Sequence, residues 1–156
     1  MGQRRSGYIN HTTKLLKVIV DSRLGFSLED PQRNISISKA RANRGCHMEP
    51  NGRAFQSPLV RKGVQALVFE LAYPYGIKFP ELFETIPSRL IAYVCAMLQF
   101  IINGYRKGPW NNDRLSAKVQ GAFFRQFLKD YEKEENASAA RKAIGENYRE
   151  KIYRRG

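Results

Sequence analysis

Cysteine and histidine are scarce in this sequence, with two of each among 156 residues. Cys46 and His47 are adjacent, but structural zinc needs four ligands, usually in paired short spacings, so we expect no metal site. Cys95 falls in an apolar stretch and Cys46 in a polar one, which does not suggest a disulfide. The first twenty residues also lack the apolar core of a secretory signal. These features predict an intracellular protein of the cytoplasm or nucleus.

Motifs for catalysis or cofactor binding are missing as well. The sequence contains no glycine-rich phosphate loop, no dinucleotide-binding fingerprint and no serine elbow. Glu81 and Glu84 are spaced to share a helix face, but acids in a first helical turn usually complement the helix dipole rather than form an acid/base pair. We therefore expect no enzyme activity and no cofactor.

Long hydrophobic runs are absent too. The longest uncharged stretch, Leu90 to Tyr105, has sixteen residues and includes Asn103 and Gly104 close to its end. Arg89 and Arg106 bound it. A helix that spans a membrane needs about 20 mostly apolar residues. We interpret the stretch as a buried helix and predict no transmembrane segment.

Acidic residues are few beside the basic ones, since 14 Asp and Glu against 27 Lys and Arg give a formal net charge of +13. Residues 1–62 carry 12 basic and 4 acidic side chains, a net +8, and residues 63–156 carry 15 and 10, a net +5. Excess positive charge in a segment with little regular apolar spacing favours contact with a polyanion. A solvated basic surface is the alternative interpretation.

From Ser57 onward, the chain carries apolar residues at helical spacing. The pattern predicts helix starts at Ser57-Pro58, Pro80, Pro87-Ser88, Asn112 or Asp113, and about Ser138. Gly104 is expected to close the helix over about 88–103 in a left-handed conformation. Ile144, Tyr148 and Ile152 are expected to line the buried face of the last helix. The predicted fold is all-α, a compact bundle of five to six helices around the apolar central helix.

Three segments are predicted within one domain. Residues 1–22 hold a short helix with Thr12 or Thr13 as a possible N-cap, and a strand is the alternative for its β-branched end. Residues 23–57, rich in Gly, Pro, Asn and Ser without a sustained period, are predicted to be a long basic loop, partly disordered. Residues 58–156 are predicted to be the helical core.

Basic residues in the loop and near the C-terminus form a candidate nucleic-acid surface. The loop would neutralise phosphates without reading the base sequence, and Tyr148 and Tyr153 would stack on bases, although burial of both tyrosines is the favoured interpretation. The candidate contacts are Arg33, Lys39, Arg41, Arg44, Arg53, Arg149, Lys151, Arg154 and Arg155.

The first six residues, MGQRRS, match the loose pattern for N-myristoylation at Gly2. One acyl chain binds membranes only weakly, so Arg4 and Arg5 would have to supply a second signal. The pattern is short, and a chance match is the favoured interpretation.

Three stretches carry a resemblance to a known family: FQSPLVRKGVQALVFE (55–70), FPELFETIPSRLIAYVCAMLQFIINGYRKG (79–108) and FFRQFLKDYEKEEN (123–136). In their hydrophobic and turn positions they resemble an uncharacterised domain of unknown function common in mushroom-forming fungi, over roughly residues 14–135. The 23–57 stretch is longer and more basic than this resemblance implies. The resemblance implies an all-α fold and an intracellular fungal protein. It carries over no established activity and adds no site residues.

Two functions of different classes fit these features. The first is a non-catalytic helical binding or scaffold module with an unknown protein partner. The alternative is a basic nucleic-acid-associated protein that binds the phosphate backbone without strong sequence specificity. Replacing the basic residues of the loop with Ala would weaken nucleic-acid binding and leave binding to a protein partner intact.

Overall fold

In the computed structural model of the chain, the described residues are 2–44, 55–70, 74–111 and 117–155. Within them the secondary structure is eight helices with no strand: α1 (Gly2–Leu24), α2 (Pro31–Arg44), α3 (Pro58–Phe69), α4 (Tyr75–Lys78), α5 (Pro80–Phe83), α6 (Ser88–Asn103), α7 (Ala117–Glu135) and α8 (Ala139–Arg154). The prediction of an all-α fold is confirmed, with more helices than the five to six expected.

Helix α6 is the centre of the bundle, as predicted for residues 88–103. Ten of its sixteen residues are buried, and α1, α2, α3 and α7 all pack against it. Each large apolar side chain that is fully buried contributes roughly 1.5–3 kcal/mol relative to an exposed one, so this helix supplies much of the core. None of the described helices is long and apolar enough to cross a membrane.

Proline and serine mark four helix starts as predicted, and one of them is Pro87-Ser88 at the start of α6. Ser57 Oγ accepts a hydrogen bond from the backbone N–H of Val60 at 3.2 Å, and Pro58 occupies the first turn of α3. Ser138 Oγ accepts from the N–H of Arg141 at 3.1 Å at the start of α8, and α5 starts at Pro80. The predicted caps at positions 112 and 113 lie outside the described residues.

Helix α1 is longer than predicted, and the expected cap at Thr12 or Thr13 is wrong. Both threonines lie buried in the middle of the helix, and Thr12 Oγ1 forms a 3.0 Å hydrogen bond with the hydroxyl of Tyr93. The strand alternative is also wrong. Leu16 and Val20 are completely buried, so the core is not confined to residues 58–156.

The prediction of a loop over 23–57 is wrong for residues 31–44, which form α2. Asp30 Oδ1 accepts a 3.0 Å hydrogen bond from the N–H of Arg33, and Pro31 follows at the first helical position, which is the same start signal as Ser57-Pro58. The helix packs on the core through polar groups. Ser38 donates to Ile102 O at 2.8 Å, and Asn34 Nδ2 donates to Gly108 O at 2.9 Å.

Gly104 ends α6 in a right-handed conformation, with φ −63°, so the expected left-handed cap is wrong. Glycine is needed there for a different reason, because a Cβ at this position would overlap the ring of Trp110. The left-handed glycine of this region is Gly108, with φ 108°. Gly108 lies five residues after the end of α6. Its positive φ lets residues 104–111 fold back over the end of the helix.

The buried stripe of α8 is shorter than predicted. Ile152 is completely buried, but Ile144 is 48% exposed, so its expected place in the core is wrong. Tyr148 packs against the core. Tyr153 donates to Gly76 O at 3.1 Å and lies 5.5 Å from the Phe69 ring. Both tyrosines therefore pack on the bundle, as the favoured interpretation held.

Candidate binding cleft

A cleft of about 460 Å³ lies where the C-terminal end of α6 faces the first turns of α7. A volume of this size is typical of ligand pockets. The residues that line it are Phe100, Asn103, Gly104, Arg106, Lys107, Asn111, Val119 and Phe123. Its wall therefore combines aromatic and aliphatic surface with two cationic side chains and two amides.

The segment that follows α6 holds the basic residues at the mouth of the cleft. The N–H of Asn111 donates to Gly104 O at 2.9 Å, and the N–H of Gly108 donates to Tyr105 O at 2.9 Å. These two bonds close a tight turn whose exposed residues include Arg106 and Lys107. Positive charge at this position also complements the negative end of the α6 dipole.

Trp110 lies directly behind the cleft wall. Its ring meets the Phe100 ring edge to face, with the centroids 6.2 Å apart, and packs against Gly104. Trp110 is the single tryptophan of the chain. Its fluorescence therefore reports on the cleft without any label.

A polar cluster fastens this region to α1. The Tyr105 hydroxyl donates a 2.6 Å hydrogen bond to Asp21 Oδ1, while Lys17 Nζ binds Asp21 Oδ2 at 2.7 Å. Lys17 Nζ also lies 5.1 Å from the centroid of the Trp110 ring, within cation–π range. Phe26 stacks on Tyr105 at 3.9 Å. The wall behind the cleft is therefore held rigidly.

The electrostatics of the cluster favour the protonated forms of Tyr105 and Lys17. Burial and the hydrogen bond to Asp21 raise the pKa of Tyr105 to about 12. Burial alone would lower the pKa of Lys17, but its hydrogen bonds to Asp21 and Tyr105 outweigh burial and raise it. Lys17 therefore stays charged, and Tyr105 stays neutral, throughout the ordinary pH range.

The side chains that line the cleft suit one class of ligand. Its lining side chains offer hydrogen-bond donors and positive charge above an apolar floor, which suits a ligand that carries an anionic group beside an apolar one. In the described part of the chain, no three His, Cys, Asp or Glu side chains are grouped as metal ligands would be. Cys46 and His47 lie outside the described residues.

The structure divides the candidate nucleic-acid residues between two ends of α6. Arg33 and Lys39 are exposed on α2 and Arg41 is partly exposed, and α2 packs on Ile102 near the C-terminal end of α6. Lys151, Arg154 and Arg155 are exposed at the end of α8. Arg44 lies in the last turn of α2, and Arg53 is outside the described residues.

The α8 group lies near the other end of α6, because Arg149 contacts Ile86, which precedes that helix. Arg149 is itself a structural residue. Its side chain is 14% exposed, its Nη2 binds Glu135 Oε1 at 2.7 Å, and its Nη1 donates to Ile86 O at 3.1 Å. Such a guanidinium is committed within the fold, so its predicted role in phosphate binding does not fit this geometry.

Sequence reasoning missed the cleft. In the sequence, Arg106 stands out only as a charge that bounds the apolar run, and Asn103 only as a polar residue near the end of that run. The available signal was the placement of two cations directly after an apolar helix and before an aromatic residue, Trp110. The partners Val119 and Phe123 come from α7, and no local pattern relates them to the end of α6.

A protein-family model described as Domain of unknown function (DUF6532) matches residues 1–133. The predicted resemblance to an uncharacterised domain family is confirmed. All residues that line the cleft lie within the matched range, whereas α8 lies beyond it. No curated protein and no solved structure matches the chain.

Proposed function

Because the chain belongs to the family described as Domain of unknown function (DUF6532), whose description assigns no activity, we propose a function from the geometry. The protein is a non-catalytic intracellular binding module that receives an anionic, apolar-anchored segment of a protein partner in the cleft. One observation carries this proposal. Arg106 and Lys107 stand at the rim of a pocket whose floor is made by Phe100 and Phe123.

The apolar floor supports an anchor residue in the partner. Phe100 is buried, whereas Phe123 and Val119 are each partly exposed, and all three line the cleft. Protein interfaces concentrate their energy in aromatic or aliphatic side chains that fill such pockets. A partner side chain of this kind would displace water from the floor and gain the burial of its apolar area.

The charges at the rim support an acidic partner. Arg106 and Lys107 are exposed, and the chain as a whole has a net charge of +13. Complementary charge steers association and suppresses the wrong partners. The rim would therefore pair with carboxylates that flank the anchor residue.

The test uses the fluorescence of Trp110. We expect a short peptide with a central Phe between glutamates to change the emission on titration. The double variant Arg106→Gln with Lys107→Gln should weaken binding by about fivefold or more, since losses above about 1 kcal/mol mark anchoring contacts. The matched control, Lys62→Gln with Lys142→Gln, removes the same charge from exposed sites on α3 and α8.

Two results would overturn the proposal. One is equal weakening by the control double variant, which would mean that only the overall charge matters. The other is equal binding of a peptide in which Ala replaces the central Phe, because the floor of the cleft would then contribute nothing. A basic peptide with the same Phe should not bind.

Nucleic-acid binding is the second candidate, and the position of α2 favours it. Exposed Arg33 and Lys39 lie on a helix that packs beside the end of α6, so they share one end of the molecule with Arg106 and Lys107. Short single- and double-stranded DNA and RNA should be titrated as salt rises to a physiological level. Retained binding with a steep negative log–log salt slope would place this function first. Loss of all binding well below physiological salt would rule out nucleic-acid binding as the function.

A further inference from the structure

An exposed apolar surface lies on α4 and α5, which we name the α4–α5 patch. It comprises Tyr75, Ile77, Phe79, Glu81, Leu82 and Glu84. Ile77 is 64% exposed and Leu82 61%. The other large exposed apolar side chains of the described residues stand singly along the chain, whereas four occur within this short segment. A cluster of this kind marks an interaction surface.

The backbone beneath the patch is held firmly. Gly76 packs so closely on Val68 that a Cβ would overlap it, and Gly76 O accepts the hydrogen bond from Tyr153. Phe83 packs against the core. Pro80 fixes the backbone between the two short helices. A preorganised surface loses little conformational entropy when it binds.

The patch has the chemistry that the cleft would accept. Ile77 and Leu82 offer apolar anchors, and exposed Glu81 and Glu84 offer carboxylates beside them. With Lys78 included, residues 75–84 carry a net charge of −1 in a chain of net charge +13. This is the acidic, apolar-anchored segment that Arg106 and Lys107 above Phe100 and Phe123 would receive.

The patch cannot reach the cleft of its own chain. It lies just before the N-terminal end of α6, while the cleft lies at the C-terminal end. Sixteen helical residues at 1.5 Å each separate these ends by about 24 Å. The same helix is buried in the core and is rigid, so any contact must be with another molecule.

We infer that the partner of the cleft is a second copy of this chain, which inserts its α4–α5 patch. This inference rests on the proposed function and names its partner. The two surfaces differ, so the contact is head to tail, and each bound pair still offers one free patch and one free cleft. The assembly therefore grows into a ring or an open chain.

The test is sedimentation velocity over a range of concentrations of the full chain. We expect the mass of the wild-type protein to rise beyond that of a dimer. A cleft variant, Arg106→Gln with Lys107→Gln, and a patch variant, Ile77→Ser with Leu82→Ser, should each stay monomeric. The Lys62→Gln with Lys142→Gln control should assemble like the wild type.

Mixing the two monomeric variants gives the decisive result. The cleft variant keeps an intact patch and the patch variant keeps an intact cleft, so an equal mixture should form a 1:1 dimer and nothing larger. A mixture that stays monomeric while the wild type assembles would overturn the inference. So would assembly that neither variant affects, or a wild-type protein that is monomeric throughout.

The peptide titration separates this inference from the proposed function. If the wild type is monomeric but the acidic Phe peptide still changes the Trp110 emission, the cleft binds a different protein and only the second-copy inference fails. If both the assembly and the titration fail, the proposed function fails with it.

Discussion

Tyr105 and Asp21 are joined by a 2.6 Å hydrogen bond between residues 84 positions apart in the chain. The bond fastens the segment after α6 to α1. Lys17 shares the same carboxylate and covers the ring of Trp110. Since Trp110 packs behind the cleft, this bond links the geometry of the cleft to the position of α1.

Replacing Tyr105 with Phe should lower stability near neutral pH and flatten the loss of stability in alkali. The folded pKa of Tyr105 is raised to about 12 from its ordinary value of 10.0. The unfolded state therefore releases its proton first, and the stabilisation, complete below the unfolded pKa, is lost as pH rises towards the folded pKa. Urea unfolding from about pH 9 to pH 12 measures this. Parallel pH curves for both proteins would contradict the prediction.

Replacing Arg149 with Met should cost about 3–5 kcal/mol, because Glu135 would be left buried without its partner. The exposed pair Arg141–Glu134 is the matched control. It joins the same two helices at the same 2.7 Å distance, but its side chains are about half exposed. Arg141→Met should cost at most about 1 kcal/mol. Denaturant unfolding at neutral pH compares them, and equal losses would contradict the role of burial.

Gly104→Ala should destabilise the protein by about 1–3 kcal/mol, because the added Cβ would overlap the Trp110 ring. The emission maximum of Trp110 should shift as its ring is displaced. Gly121→Ala is the control, since its Cβ would meet only the mobile end of Arg125, at 3.2 Å. Removing a glycine from a helix there should stabilise by up to about 1 kcal/mol. An unchanged spectrum for Gly104→Ala would count against the packing described.

Asn34→Ala should cost about 1–3 kcal/mol, because the side chain is buried and three backbone groups, one of them buried, lose their hydrogen-bond partner. The Asn34 side chain accepts from the N–H of Ser27 at 3.0 Å and donates to Ser27 O and Gly108 O at 2.7 and 2.9 Å. Ser36→Ala on the exposed face of α2 should change stability by less than about 0.5 kcal/mol. Hydrogen exchange should show that the α2 amides open more readily in the Asn34 variant alone.

Helix caps and apolar spacing along the sequence predicted those helices whose start and buried face depend only on neighbouring residues. The caps at Ser57 and Ser138 and the apolar face of α6 needed no knowledge of distant residues. Helix α2 was missed because it contacts the core through Asn34 and Ser38, which read as loop residues until their partners, Gly108 O and Ile102 O, are known. The pair Asp30-Pro31 at its start is, however, a local helix-start signal like Ser57-Pro58.

Long-range contacts decide the roles of the basic residues, so sequence could not assign them. Arg149 reads as one exposed cation among several until Glu135 and Ile86 O are found beside it. Arg106 and Lys107 gain their significance from Phe123 on α7. For the N-myristoylation pattern at Gly2, a chance match stays the favoured interpretation, and the fold shows only that α1 begins there.

The burial of Ile152 has a consequence for biosynthesis. This side chain is completely buried, and the backbone carbonyl of Ile152 accepts a hydrogen bond from Gln65 Nε2 at 3.2 Å. Synthesis proceeds from the N-terminus, so the surface of α3 that contacts Ile152 stays uncovered until α8 has been made. Translation of Ile152 therefore sets the earliest moment at which this part of the core can close.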